Sequence, residues 1–176
     1  MNLEIRRATE AEAETVSEIL LEAAAWLRDC GHPLWRPEQL GALQVAPDCA
    51  AGFYFVAWNQ HAAGGGSAAG TMRLTDSDPD FWPEAVEGEG EGEAIYLHRL
   101  AVRRESAGGR VSTELFRHAA RIATERGARL LRLDCESNRP RLRNVYERFG
   151  FEYQSDHTVR GVHVARYEFD CSEVGE

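Results

Sequence analysis

Residues 94–112 read AIYLHRLAVRRESAGGRVS, and this stretch combines three local patterns. The apolar run from Ile95 to Val102 has the length of a β-strand, and a polar turn ending in Gly108-Gly109 follows it. Apolar residues then recur at helical spacing and predict an amphipathic helix, at Val111, Leu115, Phe116, Ala119, Ile122 and Ala123. Backbone N–H groups at the start of such a helix can bind phosphate, although an ordinary tight turn also requires small residues.

The composition predicts one globular domain without membrane or nucleic-acid partners. The chain has 176 residues, 43% hydrophobic and 28% charged, which is enough to bury a substantial core. No apolar run approaches the ~20 residues that cross a bilayer, and no apolar signal segment is visible, so we expect a cytoplasmic protein. The net charge of −9 disfavours nucleic acid as a partner. The four cysteines lack metal-ligand spacing, so we expect free thiols and no metal site.

The N-terminal segment predicts a short strand and two helices. The strand is expected over Leu3–Arg7. Thr9 and Glu12 have the spacing of a capping box, and an amphipathic helix follows them until Gly31. Residues 37–40 predict a second, short helix.

A hairpin and a long loop follow. Residues 53–58 and 71–75 predict antiparallel strands, joined by a flexible turn over His61–Ser67. Residues 76–93 read as a loop, and its acidic end over 84–93 has two interpretations. It is either a solvated, solubilising loop or an acidic lip that attracts a cationic substrate.

The segment after the central helix predicts a second parallel strand. Leu130–Leu133 form a buried strand that ends at Asp134, and a strand–helix–strand of this length implies a right-handed crossover. Asn138 is a plausible N-cap for the next helix, with Pro140 in its first turn.

The C-terminal part predicts a helix and two closing strands. Gly150 ends the helix, and residues 151–153 and 162–170 predict the strands. One apolar face of the helix is expected to carry Leu142, Val145, Tyr146 and Phe149. Since no internal repeat is visible, the whole pattern indicates one mixed α/β domain.

Two motifs carry a resemblance to a known family. Leu142 to Phe151 reads LRNVYERFGF and follows the pattern leucine–x–x–x–tyrosine–x–x–x–glycine–phenylalanine. Leu100-Ala-Val-Arg103 runs into Ala107-Gly108-Gly109. Both segments, together with the order of the predicted elements, resemble the GCN5-related N-acetyltransferase (GNAT) family of acetyl-CoA-dependent transferases.

The resemblance implies a single N-acetyltransferase-like domain over residues 1–176, with an α/β fold. The expected sheet is mixed and mostly antiparallel, with a central parallel strand pair flanked by helices. Residues 94–112 would form the central strand and pyrophosphate loop, and residues 128–151 the second parallel strand and the tyrosine helix. The implied activity is direct transfer of an acetyl group from acetyl-CoA to the amine of a small molecule or peptide. A homodimer remains open.

The pyrophosphate loop departs from the family pattern of arginine or glutamine, x, x, glycine, x, glycine or alanine. The three defined places fall on Ala107, Arg110 and Ser112, and Gly108 and Gly109 occupy the x positions. Either the glycines are displaced by one place and Arg110 faces the phosphates as a cation, or cofactor binding is weakened or lost. The residues expected at the cofactor are Leu100, Ala101, Val102, Gly108, Gly109, Arg110, Val111, Ser112, Thr113 and Asn138.

Two residues are the candidate catalytic groups. Tyr146 matches the tyrosine that the family uses as the acid toward the coenzyme A thiolate, and a core tyrosine is the alternative. His98 lies four residues before Val102, where many members of the family carry a basic glutamate. It would act as the base, directly or through water, unless it is a satisfied core histidine.

The acceptor pocket is less well marked. Trp35, Asp76 and Trp82 are its candidates, and core packing is an alternative for each of them.

Two other functions also remain open. One is a Rossmann-type nucleotide binder, although no G-x-G-x-x-G sequence is present. The other is a non-catalytic acetyl-CoA-binding regulatory domain of the same fold.

Overall fold

The computed structural model describes residues 2–60, 66–85 and 92–173, and all structural statements concern these residues. The strands are β1 Asn2–Arg7, β2 Tyr54–Gln60, β3 Gly66–Thr75, β4 Ala94–Val102, β5 Leu130–Glu136, β6 Glu152–Val159 and β7 Val162–Asp170. The α-helices are α1 Ala13–Asp29, α2 Ala42–Ala50, α3 Arg110–Glu125 and α4 Pro140–Phe149. The strands form one sheet in the order β1-β2-β3-β4-β5-β7-β6, with β4 and β5 as its parallel pair. The predicted mixed, mostly antiparallel fold is confirmed.

The described chain groups into two compact units. The first comprises residues up to Arg73 and Arg99–Leu115, and the second comprises Leu74–His98 and the residues from Phe116 onward. Both β3 and β4 contribute residues to each unit. No helix within the described ranges is long and apolar enough to span a bilayer.

The first unit contains the antiparallel strands β1 to β3 and the helices α1 and α2. The predicted capping box is confirmed, because the Glu12 carboxylate accepts hydrogen bonds from the Thr9 backbone N–H (2.9 Å) and hydroxyl (3.0 Å). Helix α2 was not predicted, and it contains Pro47, a residue that normally disfavours a helix interior. The core includes the fully buried Val16, Ile19, Leu20, Val45, Tyr54 and Val56.

The second unit is built on β5, which pairs along its whole length with β7. Strand β7 pairs in turn with β6. Helix α4 ends at Gly150, whose φ of 117° is the left-handed conformation that glycine adopts readily. An aromatic cluster with ring centroids about 5–6 Å apart fills this unit, formed by Phe116, Tyr146, Phe149, Phe151, Tyr167 and Phe169.

Three local predictions were wrong. Strand β3 begins at Gly66, so the end of the expected turn over His61–Ser67 is strand, and residues 61–65 lie outside the described part. Arg139, rather than Asn138, is the N-cap of α4, because the helix begins at Pro140. Val145 is 40% exposed, since a helix turns by about 100° per residue and its neighbour Tyr146 faces the core. The four cysteines are free, as expected.

Candidate active site

The predicted phosphate loop has the backbone of an anion site. Gly108 and Gly109 have φ values of 133° and 92°, which side-chain-bearing residues adopt only with strain, and α3 begins at Arg110 directly after them. Among the described residues, none outside the adjacent chain comes within 4 Å of where a Cβ would lie on either glycine. The backbone amides of Arg110, Val111 and Ser112 precede the first intrahelical bond and point out of the helix.

One backbone N–H predicted to bind the cofactor already has a hydrogen-bond partner within the protein. The backbone N–H of Thr113 donates to the Gly109 carbonyl at 2.9 Å, so the donor site is shorter by one residue than expected. The Ser112 hydroxyl donates to the same carbonyl at 2.9 Å. A phosphate would therefore meet the amides of residues 110–112 rather than the Thr113 N–H.

Ion pairs to helix α1 hold the start of this loop. The Arg103 guanidinium contacts carboxylate oxygens of Glu18 and Glu22, both at 2.9 Å. The backbone N–H of Arg104 donates to Glu22 at 2.7 Å, and its guanidinium carbon lies 4.1 Å from the centroid of the Trp26 ring. Sequence patterns could not reveal these pairs, because the partners lie some eighty residues apart.

Strand β4 is strained next to Leu100, Ala101 and Val102, which the resemblance places at the cofactor. Arg99, one residue before Leu100, has a φ of 48°, which is uncommon for a residue other than glycine. Its guanidinium donates to the hydroxyl of the fully buried Tyr54 at 2.8 Å. Such strain persists only where surrounding contacts impose it, and it is frequent at functional sites. The role of Leu100, Ala101 and Val102 at a cofactor stays a prediction.

Close packing fixes the strand against the start of α3. A Cβ on Gly70 would lie 2.9 Å from the Ala101 carbonyl oxygen and 3.0 Å from Val111 Cγ1. Only glycine fits this place in β3, so the first turn of α3 and the last residues of β4 are held in a fixed relation.

Tyr146 is buried on α4, with 7% of its surface exposed. Its ring centroid lies 6.0 Å from that of Phe116 and 5.7 Å from that of Tyr167. Burial, and next the electrostatic influence of Cys135 and Asp134, raise its pKa well above the ordinary value of 10. Among the described residues, none hydrogen-bonds its hydroxyl. Tyr146 therefore keeps its proton at neutral pH, as an acid requires.

His98 belongs to a cluster that the sequence did not reveal. Its Nε2 lies 2.9 Å from the Thr75 hydroxyl oxygen, which fixes the imidazole ring. One donor atom each of Asp78, His98 and Asp134 lie within 4.8 Å of one another. Burial, followed by the charge of Asp78, raises the pKa of Asp134 to about 7, and Arg166 opposes this shift. One nitrogen and two carboxylate oxygens are also a donor set that could hold a divalent metal ion.

The sequence signals for this cluster were present but were interpreted as structure. Asp134 was noted only as the end of a strand, and Asp78 only as part of a polar loop. A carboxylate directly after a buried apolar run, on the strand parallel to the one bearing His98, was the available clue.

The three residues predicted to bind the acceptor each contact other parts of the protein. Trp82 is 3% exposed, and the guanidinium carbons of Arg132 and Arg166 lie 4.8 and 4.7 Å from its ring centroid. Asp76 is exposed and forms an ion pair with Arg126 at 2.7 Å. Trp35 packs, partly buried, against the core of the first unit. Contact of these three residues with an acceptor stays a prediction.

Only the start of the predicted acidic lip is described. Glu84 forms an ion pair with Arg166 at 2.6 Å. Residues 86–91, which include Glu87, Glu89 and Glu91, lie outside the described residues.

Comparison with known protein sequences identifies the family. The sequence model of the acetyltransferase (GNAT) family matches residues 20–151. The uncharacterized N-acetyltransferase YesJ of Bacillus subtilis (strain 168) is 30% identical over 145 residues, which cover 81% of this chain and 77% of YesJ.

Solved structures share the fold at lower sequence identity. A GNAT-family acetyltransferase from Listeria monocytogenes 4b F2365 is 22% identical, with 95% of each chain covered and a TM-score of 0.73. The structure of yncA from Salmonella typhimurium, with its cofactor acetyl-CoA, is 15% identical, with 100% of this chain and 98% of that chain covered and a TM-score of 0.69.

These findings decide between the folds considered. A Rossmann-type binder is wrong, because its sheet is mostly parallel and this sheet has one parallel pair. The family match extends over most of the chain and includes the Gly108-Gly109 turn and Tyr146. The chain therefore belongs to the GNAT family of acetyltransferases.

Proposed function

We propose that this chain transfers the acetyl group of acetyl-CoA directly to an amine of a small molecule or peptide. The observation that carries the proposal is the open Gly108-Gly109 turn at the start of α3, within the region that matches the family. A turn of this kind accepts a diphosphate because unpaired amides and the helix dipole both favour an anion.

The donor site fits the phosphates in spite of its altered sequence. The amides of Arg110, Val111 and Ser112 supply N–H donors, and the open space at Gly108 and Gly109 lets a diphosphate approach the backbone. Arg110 is exposed at the first position of the helix, where a cation is unfavourable for the helix itself. A phosphate bound at these amides would bring negative charge next to this cation.

The remaining cofactor contacts follow the family resemblance. Leu100, Ala101 and Val102 would offer backbone groups to the pantetheine arm, next to the strained Arg99. Asn138 is exposed and does not cap α4, so its proposed contact rests on the resemblance alone.

The chemistry needs a base, a polarised carbonyl and an acid for the leaving thiolate. His98, oriented by Thr75, would take a proton from the acceptor amine. The amine then forms a C–N bond as the C–S bond breaks. Tyr146 would donate its proton to the thiolate, and its raised pKa keeps that proton available. A free thiol has a pKa near 8.5, so the acid assists departure rather than enabling it.

The test is thiol release from acetyl-CoA over a panel of amines, after calorimetry has shown binding of acetyl-CoA. Once an acceptor is found, Tyr146→Phe should lower kcat roughly ten- to a thousandfold. It removes one hydroxyl that no described residue hydrogen-bonds, so the affinity for acetyl-CoA and the stability should hardly change. Tyr153→Phe is the matched control, because Tyr153 is 45% exposed on β6.

Each outcome bears on the proposal. If Tyr146→Phe turns over at the parental rate, Tyr146 is a packing residue and the thiolate takes its proton from water or from the acceptor ammonium. Binding of acetyl-CoA without turnover of any amine would instead support the non-catalytic regulatory domain.

A further inference from the structure

A single carboxylate joins helix α1 to the start of the loop that contains Gly108 and Gly109. One oxygen of Glu22 accepts a hydrogen bond from the Arg103 guanidinium at 2.9 Å, and the other accepts one from the backbone N–H of Arg104 at 2.7 Å. The side chain of Glu22 is 33% exposed, so these contacts are partly shielded from water. Glu22 thus binds the side chain of one loop residue and the main chain of the next.

Strand β3 holds Arg103 as well. The backbone N–H of Arg103 donates to the Ala69 carbonyl at 2.9 Å, and its Nε donates to the Ala68 carbonyl at 3.1 Å. The guanidinium is therefore oriented by the sheet. Because this orientation also fixes the Glu22 carboxylate, Glu22 can position the Arg104 backbone rather than move with it.

The rest of the loop has few other anchors. Arg104–Ser106 form one short turn of 3-10 helix, and Gly108 and Gly109 follow with positive φ values. Between residues 105 and 109, one hydrogen bond reaches a distant segment of the described chain, the long contact of 3.5 Å from Asn59 to the Ser106 hydroxyl. Glycine loses more conformational freedom on ordering than other residues, so a loop with two glycines gains from an external anchor.

We propose that Glu22 is a positioning residue for the cofactor, which holds the loop so that the amides of residues 110–112 face the diphosphate of acetyl-CoA. This inference rests on the proposed binding of acetyl-CoA at Gly108 and Gly109. A loop that is ordered in advance binds more tightly, because less conformational entropy is lost on binding. Glu22 acts through Arg103 and the Arg104 backbone and does not touch the cofactor itself.

Charge and positioning predict opposite results when Glu22 is replaced. On charge alone, loss of a carboxylate near the loop would strengthen the binding of an anionic cofactor and release Arg103 as a cation. If Glu22 positions the loop, its loss weakens binding instead. Glu18 is the matched comparison, because it lies one turn earlier on α1 and contacts the same guanidinium at 2.9 Å. Among the described residues, Glu18 has no hydrogen bond with the loop backbone.

The test is calorimetric titration of coenzyme A into the protein and its variants at several salt concentrations. Glu22→Gln should raise the dissociation constant roughly three- to tenfold at each of them, because the loop must then be ordered on binding. Glu18→Gln removes the same charge from an exposed ion pair and should change the constant by less than about twofold. Urea denaturation checks that both variants are folded. A role in stability alone would leave the dissociation constant unchanged.

A double variant shows whether Glu22 acts through the loop. Alanine at the Gly108 φ of 133° is strained and displaces the loop in any case. In a Gly108→Ala background, the effect of Glu22→Gln should therefore shrink to less than about twofold, since two changes to one unit are not additive.

The outcomes separate this inference from the proposed function. The inference is overturned if Glu22→Gln binds coenzyme A as tightly as the parent or more tightly, if both glutamate variants behave alike, or if the effect persists in full with Gly108→Ala. If the parent binds no coenzyme A, both proposals fail. Binding of coenzyme A without thiol release from acetyl-CoA with any amine would count against the proposed acetyl transfer alone.

Discussion

Removing the charge of Asp134 should make the protein more stable at high pH. Burial, and next the charge of Asp78, raise the pKa of this carboxyl from 3.8 to about 7. The folded protein therefore keeps a proton that the unfolded chain releases near pH 4. Because the folded state binds more protons between these two values, stability falls as the pH rises through this window. Asp134→Asn keeps the shape of the protonated side chain and cannot ionise.

The magnitude follows from the difference between the two pKa values. A difference of three pKa units corresponds to a destabilisation of the folded parent by at most about 4 kcal/mol. This destabilisation is fully present above pH 7 and absent below pH 4. Between pH 5 and pH 8, the free energy of unfolding of the parent should fall by roughly 2.5 kcal/mol relative to that of Asp134→Asn.

The assay is urea denaturation of the parent and the variant at half-unit steps from pH 5 to pH 8. Titration of groups far from Asp134 cancels in the difference between the two proteins, so the difference reports Asp134 together with its coupling to Asp78. Asp76→Asn is a suitable control, because Asp76 is exposed and its pair with Arg126 is a surface ion pair. A difference that does not grow with pH would show that Asp134 ionises normally and would refute the reasoning.

Three further predictions concern the Gly108-Gly109 loop and the orientation of His98. Gly108→Val should raise the acetyl-CoA dissociation constant at least roughly tenfold, because a side-chain-bearing residue at a φ of 133° costs about 1–3 kcal/mol and shifts the loop. Gly161→Val, at a φ of 82° in the β6–β7 turn, is its control, and an unchanged constant in folded Gly108→Val would contradict the phosphate placement. Arg110→Gly should weaken acetyl-CoA binding modestly and flatten its salt dependence, as calorimetry at several salt concentrations would show; tighter binding would mean that the arginine obstructs the loop. Thr75→Val removes the hydroxyl that orients His98 and should lower kcat several-fold and shift its pH profile, and a profile that stays in place would leave His98 without a role as base.

Most of the fold could be predicted because its elements obey local rules. The capping box at Thr9, the strand before Gly108 and the helix ending at Gly150 all follow from short sequence patterns. Helix α2 escaped prediction because Pro47 normally interrupts a helix. The start of β3 at Gly66 escaped because glycine and alanine have little strand preference, and pairing with β2 decides their conformation.

The candidate site was predicted only in part. Tyr146 and the glycine turn belong to continuous motifs, and the structure describes both. The convergence of Asp78 and Asp134 on His98 joins residues from three distant segments, so it depends on tertiary structure.

Alternation along β5 explains how one strand can lie beside both the candidate acid and the cluster that contains the candidate base His98. Residues paired across a ladder share a face, and successive residues face opposite sides. Leu133 pairs with Tyr167, whose ring contacts that of Tyr146, whereas Asp134 pairs with Arg166 on the other face.

The acid and the carboxylates therefore lie on opposite faces of the sheet in the second unit. An amine deprotonated by His98 could attack a thioester whose leaving thiolate takes its proton from Tyr146 only where the sheet is open. The parallel ladder provides such a place, because its pairing covers only Ala94–Tyr96 and 130–132 among the described residues, while within the second unit the two strands continue to His98 and Glu136. If the pairing of β4 with β5 continued to His98 and Asp134, the sheet would separate Tyr146 from the Asp134 carboxylate. We therefore expect the acetyl group to be transferred in this opening, with the amine approaching from the Asp134 face.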